Sequence, residues 1–268
     1  MEKIRIDQLL IKKGYVPTRS KALQLIQEGK VYVNQQLISK AGTFCLEDDE
    51  IKIKEHHLFD YVSRGGLKLK KAIDTFHLDF NQKVVLDIGA STGGFSDCCL
   101  KHGASHVYAL DVGKDQLDEK LKNDVRVTNY EGIHFKDVQT SLFLKKIDVI
   151  TIDVSFISIK SILMKVNELF SDIIIVGLFK PQFEVGKQNI NKNGVVKNKK
   201  THIEALHAFQ HFLHQNHFYC NQLTFSPIMG SKSGNIEYLC LITRKNEIHN
   251  CSIESVVAEA FLTLKGVV

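Results

Sequence analysis

The chain has 268 residues, long enough for about two domains of roughly 150 residues or one large one. With 44% apolar and 24% charged residues it reads as an ordinary globular protein, far from a disordered one, and three prolines and no tryptophan exclude a Pro-rich linker or a Trp-lined cage. The net charge of +5 is too small to identify a nucleic-acid binder by itself, and no uncharged apolar run reaches the ~18 residues of a membrane span.

The charge is local. Residues 1–40 hold eight bases (Lys3, Arg5, Lys12, Lys13, Arg19, Lys21, Lys30, Lys40) against Glu2, Asp7 and Glu28, an excess equal to that of the whole chain. These early charges leave no long apolar core for a signal peptide, so a cytoplasmic protein is expected. Asp7 is placed to cap a helix carrying Leu9, Leu10 and Ile11, stopped by Gly14. Pro17-Thr18-Arg19-Ser20 opens a second helix with Ala22, Leu23 and Ile26 on one face, ended by Gly29. Val31 to Asn34 alternates into a turn, and short strands are expected around Leu37-Ile38 and over Ile51–Lys54. Between them Glu47-Asp48-Asp49-Glu50 reverses the sign of the charge.

This segment resembles the alpha-L RNA-binding motif through Arg5-Ile6-Asp7, Arg19-Ser20-Lys21-Ala22, Gly29-Lys30-Val31 and Val33-Asn34. The resemblance implies that Arg5, Arg19, Lys21 and Lys30 meet RNA phosphates. The expected domains are 1–60 and 61–268, with a linker near 55–62 whose Leu58-Phe59-Asp60-Tyr61 is too apolar for a free tether.

From residue 83 the rhythm becomes strand, helix, strand. Strands are expected at Lys83–Ile88, Val107–Leu110, Val125–Val127, Asp148–Ile152 and Ile173–Val176, with Phe218–Phe225 and Ile236–Ile242 closing the sheet. That alternation predicts an α/β, Rossmann-like fold with a largely parallel sheet covered on both faces.

Asp87-Ile88-Gly89-Ala90-Ser91-Thr92-Gly93-Gly94-Phe95 leaves a strand and enters a helix, where small residues allow close approach to a ligand. Asp111 ends the next strand, 22 positions after Gly89, where a carboxylate can accept hydrogen bonds from ribose hydroxyls. A nicotinamide dinucleotide and S-adenosylmethionine both suit such a carboxylate. The spacing decides against the dinucleotide: it is not Gly-x-Gly-x-x-Gly, and Asp87-x-Gly89-x-Ser91-x-Gly93 matches the acidic-glycine signature of methyltransferases, with Ser91 where glycine is commoner. Asp87, Gly89, Ala90, Ser91, Gly93, Gly94, Phe95 and Asp111 are therefore the candidate cofactor-binding residues.

Four polar residues fall where such a site would be. Lys68 lies in the first turn of an amphipathic helix, an unfavourable end of the helix dipole for a cation. Asp153 and Lys180 each finish an apolar strand, where open α/β sheets bind their ligands, and Pro181 biases Lys180 to extended backbone. Glu237 lies near the last strand.

Over nearly its full length the chain resembles the TlyA family of rRNA 2′-O-methyltransferases, historically named hemolysins. The matching runs are Val62-Ser63-Arg64-Gly65-Gly66-Leu67-Lys68-Leu69, Gly89 to Phe95, Asp153-Val154-Ser155-Phe156-Ile157-Ser158, Lys180-Pro181-Gln182-Phe183-Glu184-Val185-Gly186 and Gly234-Asn235-Ile236-Glu237-Tyr238. The second half resembles FtsJ-type RNA methyltransferases, whose Lys-Asp-Lys-Glu tetrad falls on Lys68, Asp153, Lys180 and Glu237. The resemblance implies S-adenosylmethionine as cofactor, ribosomal RNA or a ribosomal subunit as partner, cytidine as target, Arg64 as a further RNA contact, and no metal. The Lys-rich stretch Lys187, Lys192, Lys197, Lys199 and Lys200 departs most from the family.

The residue types suit the chemistry. A ribose hydroxyl needs a base, and burial with a neighbouring cation lowers a lysine from its usual pKa of about 10.4 toward that task. Lys180 is the expected base, with Lys68 raising the positive potential, Asp153 orienting the ammonium and Glu237 holding the lysines. Two alternatives are a membrane-lytic protein, which needs a spanning or amphipathic element, and a catalytically silent RNA-binding ribosome-assembly factor, which needs no intact tetrad.

Weaker signals remain structural in expectation. Six cysteines without a Cys-x-x-Cys pair predict reduced thiols, with Cys98-Cys99 packed in a helix. His207, His211 and His214 share a helix face without a His-Glu-x-x-His pattern, so a solvated face is expected. Asn250-Cys251-Ser252 is a chance glycosylation triplet in a chain of this kind.

Overall fold

The computed structural model describes residues 3–16, 18–27, 29–53, 61–230, 234–247 and 252–266. Most of the expected linker, the glycosylation triplet's Asn250 and Cys251, and Pro17 lie outside the described residues. The chain divides into two compact units, Met1–Arg64 and Gly65–Val268.

The first unit runs β1 (Lys3–Arg5), α1 (Ile6–Lys12), α2 (Arg19–Gln27), β2 (Val31–Val33), β3 (Gln36–Leu37), β4 (Phe44–Leu46) and β5 (Ile51–Ile53). Two small sheets, β1-β4 and β3-β2-β5, enclose Ile6, Leu9, Leu10, Ala22, Ile26, Val31, Val33 and Ile51. The helix–helix–strand order follows the apolar spacing, whereas β1 and β4 are three-residue strands too short to carry a periodic signal.

Asp7 departs from its expected role. The N-cap of α1 is Arg5, with no side-chain cap bond, and Asp7 lies in the first turn, fully buried. Its carboxylate accepts from Arg5 Nε and Nη2, both at 3.1 Å, and pairs with Arg19 Nη2 at 2.9 Å. It therefore ties α1 to α2 rather than terminating α1, while both arginines keep much of their surface in water.

The second unit contains α3 (Gly65–Phe76), β6 (Val84–Ile88), α4 (Gly94–Lys101), β7 (His106–Asp111), α5 (Glu119–Lys122), β8 (Val127–Glu131), β9 (Val149–Ile152), α6 (Ile159–Leu169), β10 (Ile174–Phe179), α7 (Lys199–Gln215), β11 (Tyr219–Phe225), β12 (Tyr238–Thr243) and α8 (Ile253–Lys265). One seven-stranded sheet has the order β11-β12-β10-β9-β6-β7-β8. The five strands β10, β9, β6, β7 and β8 are parallel, and β12 and β11 are antiparallel to their neighbours. Leu86, Ile88, Ile150, Ile152, Ile175 and Phe179 pack with Leu163, Val166, Leu206 and Phe209 of α6 and α7 in one core.

One strand sits later than its sequence suggested. The Val125–Val127 strand is β8, Val127–Glu131, because Val125 is 95% exposed and Arg126 folds back on Asp124 at 2.7 Å. The shift matters to function: it brings Glu131 to the strand end beside Asp111, its register partner in β7.

The Asp7 pairing makes a testable statement about the first unit. Its arginine hydrogen bonds outweigh burial and lower its pKa, so its folded value lies below the unfolded ~3.9. The stabilisation is complete above the unfolded value and disappears as pH falls through the folded one. Asp7→Ala should cost about 1–2 kcal/mol near neutral pH, read as faster amide exchange over Ile6–Lys12. Wild type and variant should converge in acid, and a pH-independent difference would contradict the assignment.

Candidate active site

Sheet topology alone assembles the site. β6, β9 and β10 are adjacent and parallel, so the glycine loop after β6, Asp153 after β9 and Lys180 after β10 emerge at one edge. Because β12 is antiparallel, its first residue Tyr238 pairs with Phe179 at the end of β10, which delivers Glu237 to the same edge. Lys68 arrives from the first turn of α3.

The four side chains form a continuous chain in which Lys68, Lys180 and Glu237 are buried and Asp153 is half-buried. Glu237 Oε2 accepts from Lys68 Nζ at 2.7 Å, and Lys68 Nζ lies 3.5 Å from Asp153 Oδ2. Lys180 Nζ pairs with Asp153 Oδ1 at 2.6 Å and donates to Ser155 Oγ at 2.9 Å. Asp153 thus gives one oxygen to each lysine. Burial favours its neutral acid, but the two ammonium groups prevail and hold its carboxyl down at about 2.

Burial does pull Lys68 down, yet Asp153 and Glu237 together outweigh it, and its pKa is raised. Lys68 is a fixed cation. Glu237 bonds Lys68 and Ser155 bonds Lys180, while Asp153 is shared by both lysines.

The glycine loop touches this network. Gly89 has φ +85°, and a Cβ there would lie 2.5 Å from the Asp153 carbonyl oxygen. Only glycine permits that approach. Gly93, with φ +93°, precedes α4, and its Cβ would meet Leu121 at 2.2 Å. Ala90 is buried between these points, and Gly94 and Phe95 are buried at the start of α4. Ser91 takes a left-handed backbone, φ +49°, and its N–H donates to Asp111 Oδ2 at 2.8 Å. Asp111 Oδ1 accepts from Gly113 N at 2.7 Å. Asp111 is half-buried and each oxygen retains an acceptor site, so the residue both shapes the loop and can meet a ribose diol.

Asp87 lies deeper than the sequence implies. It is fully buried, with Ser96 Oγ donating to Oδ2 at 2.6 Å and Thr151 Oγ1 to Oδ1 at 2.8 Å. Burial raises its pKa to about 6 despite those hydroxyls. It braces the loop from beneath.

Sequence reading missed several members. Ser155 lay inside a quoted run without a role. Glu131 Oε1 accepts from Gln116 N and Leu117 N at 2.6 and 2.9 Å, organising the turn beside Asp111, and was hidden by the displaced strand. Phe156 is 80% exposed with φ +68°, costly for a bulky residue, and its ring lies 5.6 Å from that of Phe183, which follows Lys180. Gly230 gave no signal at all.

The remaining candidates lie elsewhere. Arg5, Arg19, Lys21 and Lys30 belong to the first unit, where Arg5 and Arg19 share Asp7 and Lys21 is exposed. Arg64 is half-buried in the turn before α3. In the Lys-rich stretch, Asn235 accepts from Val196 N at 3.0 Å and donates to Gly194 O at 2.7 Å, tying that loop to the segment carrying Glu237. His207 pairs with Glu254 and His211 with Gln215, and no metal-ligating cluster exists among the described residues. Cys98 and Cys99 are buried in α4, as expected of packed thiols.

Comparison with known proteins decides the family. Residues 61–243 match the FtsJ-like methyltransferase family and residues 4–51 match the S4 domain. The chain belongs to the FtsJ-like methyltransferases. It is 34% identical over 235 residues to the 16S/23S rRNA (cytidine-2′-O)-methyltransferase TlyA of Mycobacterium tuberculosis, covering 87% of each chain. It is 41% identical over 238 residues to Hemolysin A of Brachyspira hyodysenteriae, covering 88% of this chain and 98% of the relative. A solved structure described as a hemolysin from Streptococcus thermophilus superposes with a TM-score of 0.77 at 38% identity, over 99% of this chain and 98% of the other. The S4 match is the small RNA-binding unit anticipated from residues 5–34. No helix among the described residues is long and apolar enough to cross a membrane.

Gly230 offers a direct test of the tetrad. A Cβ there would lie 2.8 Å from Glu237 Oε1, whose side chain is pinned by Lys68 and has little room to retreat. Gly230→Ala should displace Glu237 and slow methyl transfer by about tenfold or more, a barrier increase of ~1.4 kcal/mol. A variant with full activity would show that Glu237 need not hold Lys68.

Proposed function

We propose that this protein transfers the methyl group of S-adenosylmethionine to a ribose 2′-hydroxyl of ribosomal RNA, at a cytidine. The observation that carries the reading is Asp153, whose carboxylate is held between Lys68 and Lys180 while its backbone carbonyl abuts Gly89 of the glycine loop. That loop, with Asp111 at the strand end, has the acceptor chemistry and close backbone approach that an adenosyl cofactor requires. The bound cofactor supplies an electrophilic methyl group.

Lys180, entering the reaction as the neutral amine, takes the proton from the 2′-hydroxyl and leaves that oxygen as the nucleophile. Asp153 orients Lys180 through its 2.6 Å bond, and its negative charge would favour a positively charged cofactor. Lys68, kept charged by Glu237, offsets the charge developing on the ribose oxygen. Positioning of the two reactants supplies much of the acceleration. Phe156 offers an exposed aromatic face for a base of the substrate, a common mode for unstacked RNA. Arg5, Arg19, Lys21, Lys30 and Arg64 supply cations for backbone phosphates, so binding weakens as salt rises. The cytidine target and the rRNA class rest on the TlyA relatives.

Lys180→Arg separates a base from a phosphate anchor, because arginine keeps the charge but stays protonated in proteins. Transfer of tritiated methyl to rRNA should be abolished while cofactor affinity, measured by calorimetry, stays within about twofold, since Lys180 faces the hydroxyl rather than the adenosine. An active arginine variant would refute the base assignment.

A further inference from the structure

Ser155 lies in a matched run, yet the reaction described above assigns it nothing. Its hydroxyl accepts from Lys180 Nζ at 2.9 Å while Asp153 Oδ1 takes the same nitrogen at 2.6 Å. A protonated lysine has three N–H directions, and two are thereby assigned. When Lys180 is neutral it has two N–H bonds and one lone pair. If Asp153 and Ser155 hold the two N–H bonds, the lone pair is left in the single remaining tetrahedral direction. With Asp153 alone, the amine turns about its Cε–Nζ bond and the lone pair sweeps an arc.

The placement of Ser155 is itself enforced. The loop from Asp153 to Ser158 is anchored at its start, where Asp153 N donates to Ile88 O at 3.0 Å. At its end, Ser158 Oγ donates to Glu184 Oε2 at 2.7 Å and Ile159 N to Glu184 Oε1 at 2.8 Å. Glu184 belongs to the short turn that follows Lys180, so the serine's loop is tied to the lysine's own segment. Lys180 is buried and Ser155 exposed, so the serine lies on the solvent side of the lysine.

We propose that Ser155 is a positioning residue that aims the lone pair of Lys180 at the ribose hydroxyl. The proposal rests on Lys180 being the base of the proposed reaction. It requires a side-chain oxygen at position 155 and no more, so threonine should replace serine and alanine should not. The loss should fall on kcat, because Ser155 acts on the reactivity of Lys180 and not on the capture of RNA.

The experiment compares wild type, Ser155→Ala and Ser155→Thr in steady-state methyl transfer to rRNA, with S-adenosylmethionine affinity measured by calorimetry. Ser155→Ala should lower kcat by about tenfold or more, with KM for RNA and cofactor affinity changed less than about twofold. Ser155→Thr should recover kcat to within about threefold of wild type. An alanine variant with wild-type kcat, a loss confined to KM, or a threonine variant as slow as alanine would each overturn the proposal. Absence of transfer by the wild-type protein would instead remove the reaction on which it rests.

Discussion

The active unit depends on Asp153 remaining ionised between two buried lysines. Four charges leave water together here, and such burial is repaid only when they neutralise one another at short range. Lys68 and Lys180 balance Asp153 and Glu237, and the distances of 2.6 and 2.7 Å provide the required contact. Removing one member strands an uncompensated charge, which typically costs about 3–5 kcal/mol. Variants that keep charge or shape are therefore more informative than truncations. A network of this kind is poor value for stability alone, and its position at the sheet edge where ligands bind gives it a chemical purpose.

Polar order extends outward from that carboxylate. The backbone of Asp153 abuts Gly89, so one residue organises both the glycine loop and the tetrad, its carbonyl setting the loop and its carboxylate setting the lysines. Beneath the loop, buried Asp87 is held by hydroxyls from α4 and β9. Beside it, Asp111 and Glu131 accept backbone N–H groups from successive turns. These carboxylates use some of their lone pairs on the protein itself, which fixes the remaining ones in direction before any ligand arrives.

Much of this was legible in the sequence because parallel strands announce themselves as short apolar runs, and their ends are where function sits. Asp111, Asp153 and Lys180 could all be placed by that rule, whereas Asp87 lies within β6 and deeper. What it could not show was pairing. Lys68 and Glu237 are 169 positions apart, and only the antiparallel direction of β12 explains why they meet. Asp7 looked like a helix cap because its position suits one, yet a buried tie to two arginines was the stronger demand. The strand at Val125 was misplaced because an alternating Val125-Arg126-Val127 also fits an exposed turn. Ser155 and Gly230 gain meaning only from atoms that approach them in space.

The most direct test of the central claim is the chemical position of the added methyl group. After reaction with rRNA, the product is digested to nucleosides and analysed by mass spectrometry. A site built to deprotonate a ribose hydroxyl predicts 2′-O-methylcytidine and no transfer when the target nucleotide carries a 2′-deoxyribose. A methyl group on the base, or undiminished transfer to the deoxy substrate, would contradict it.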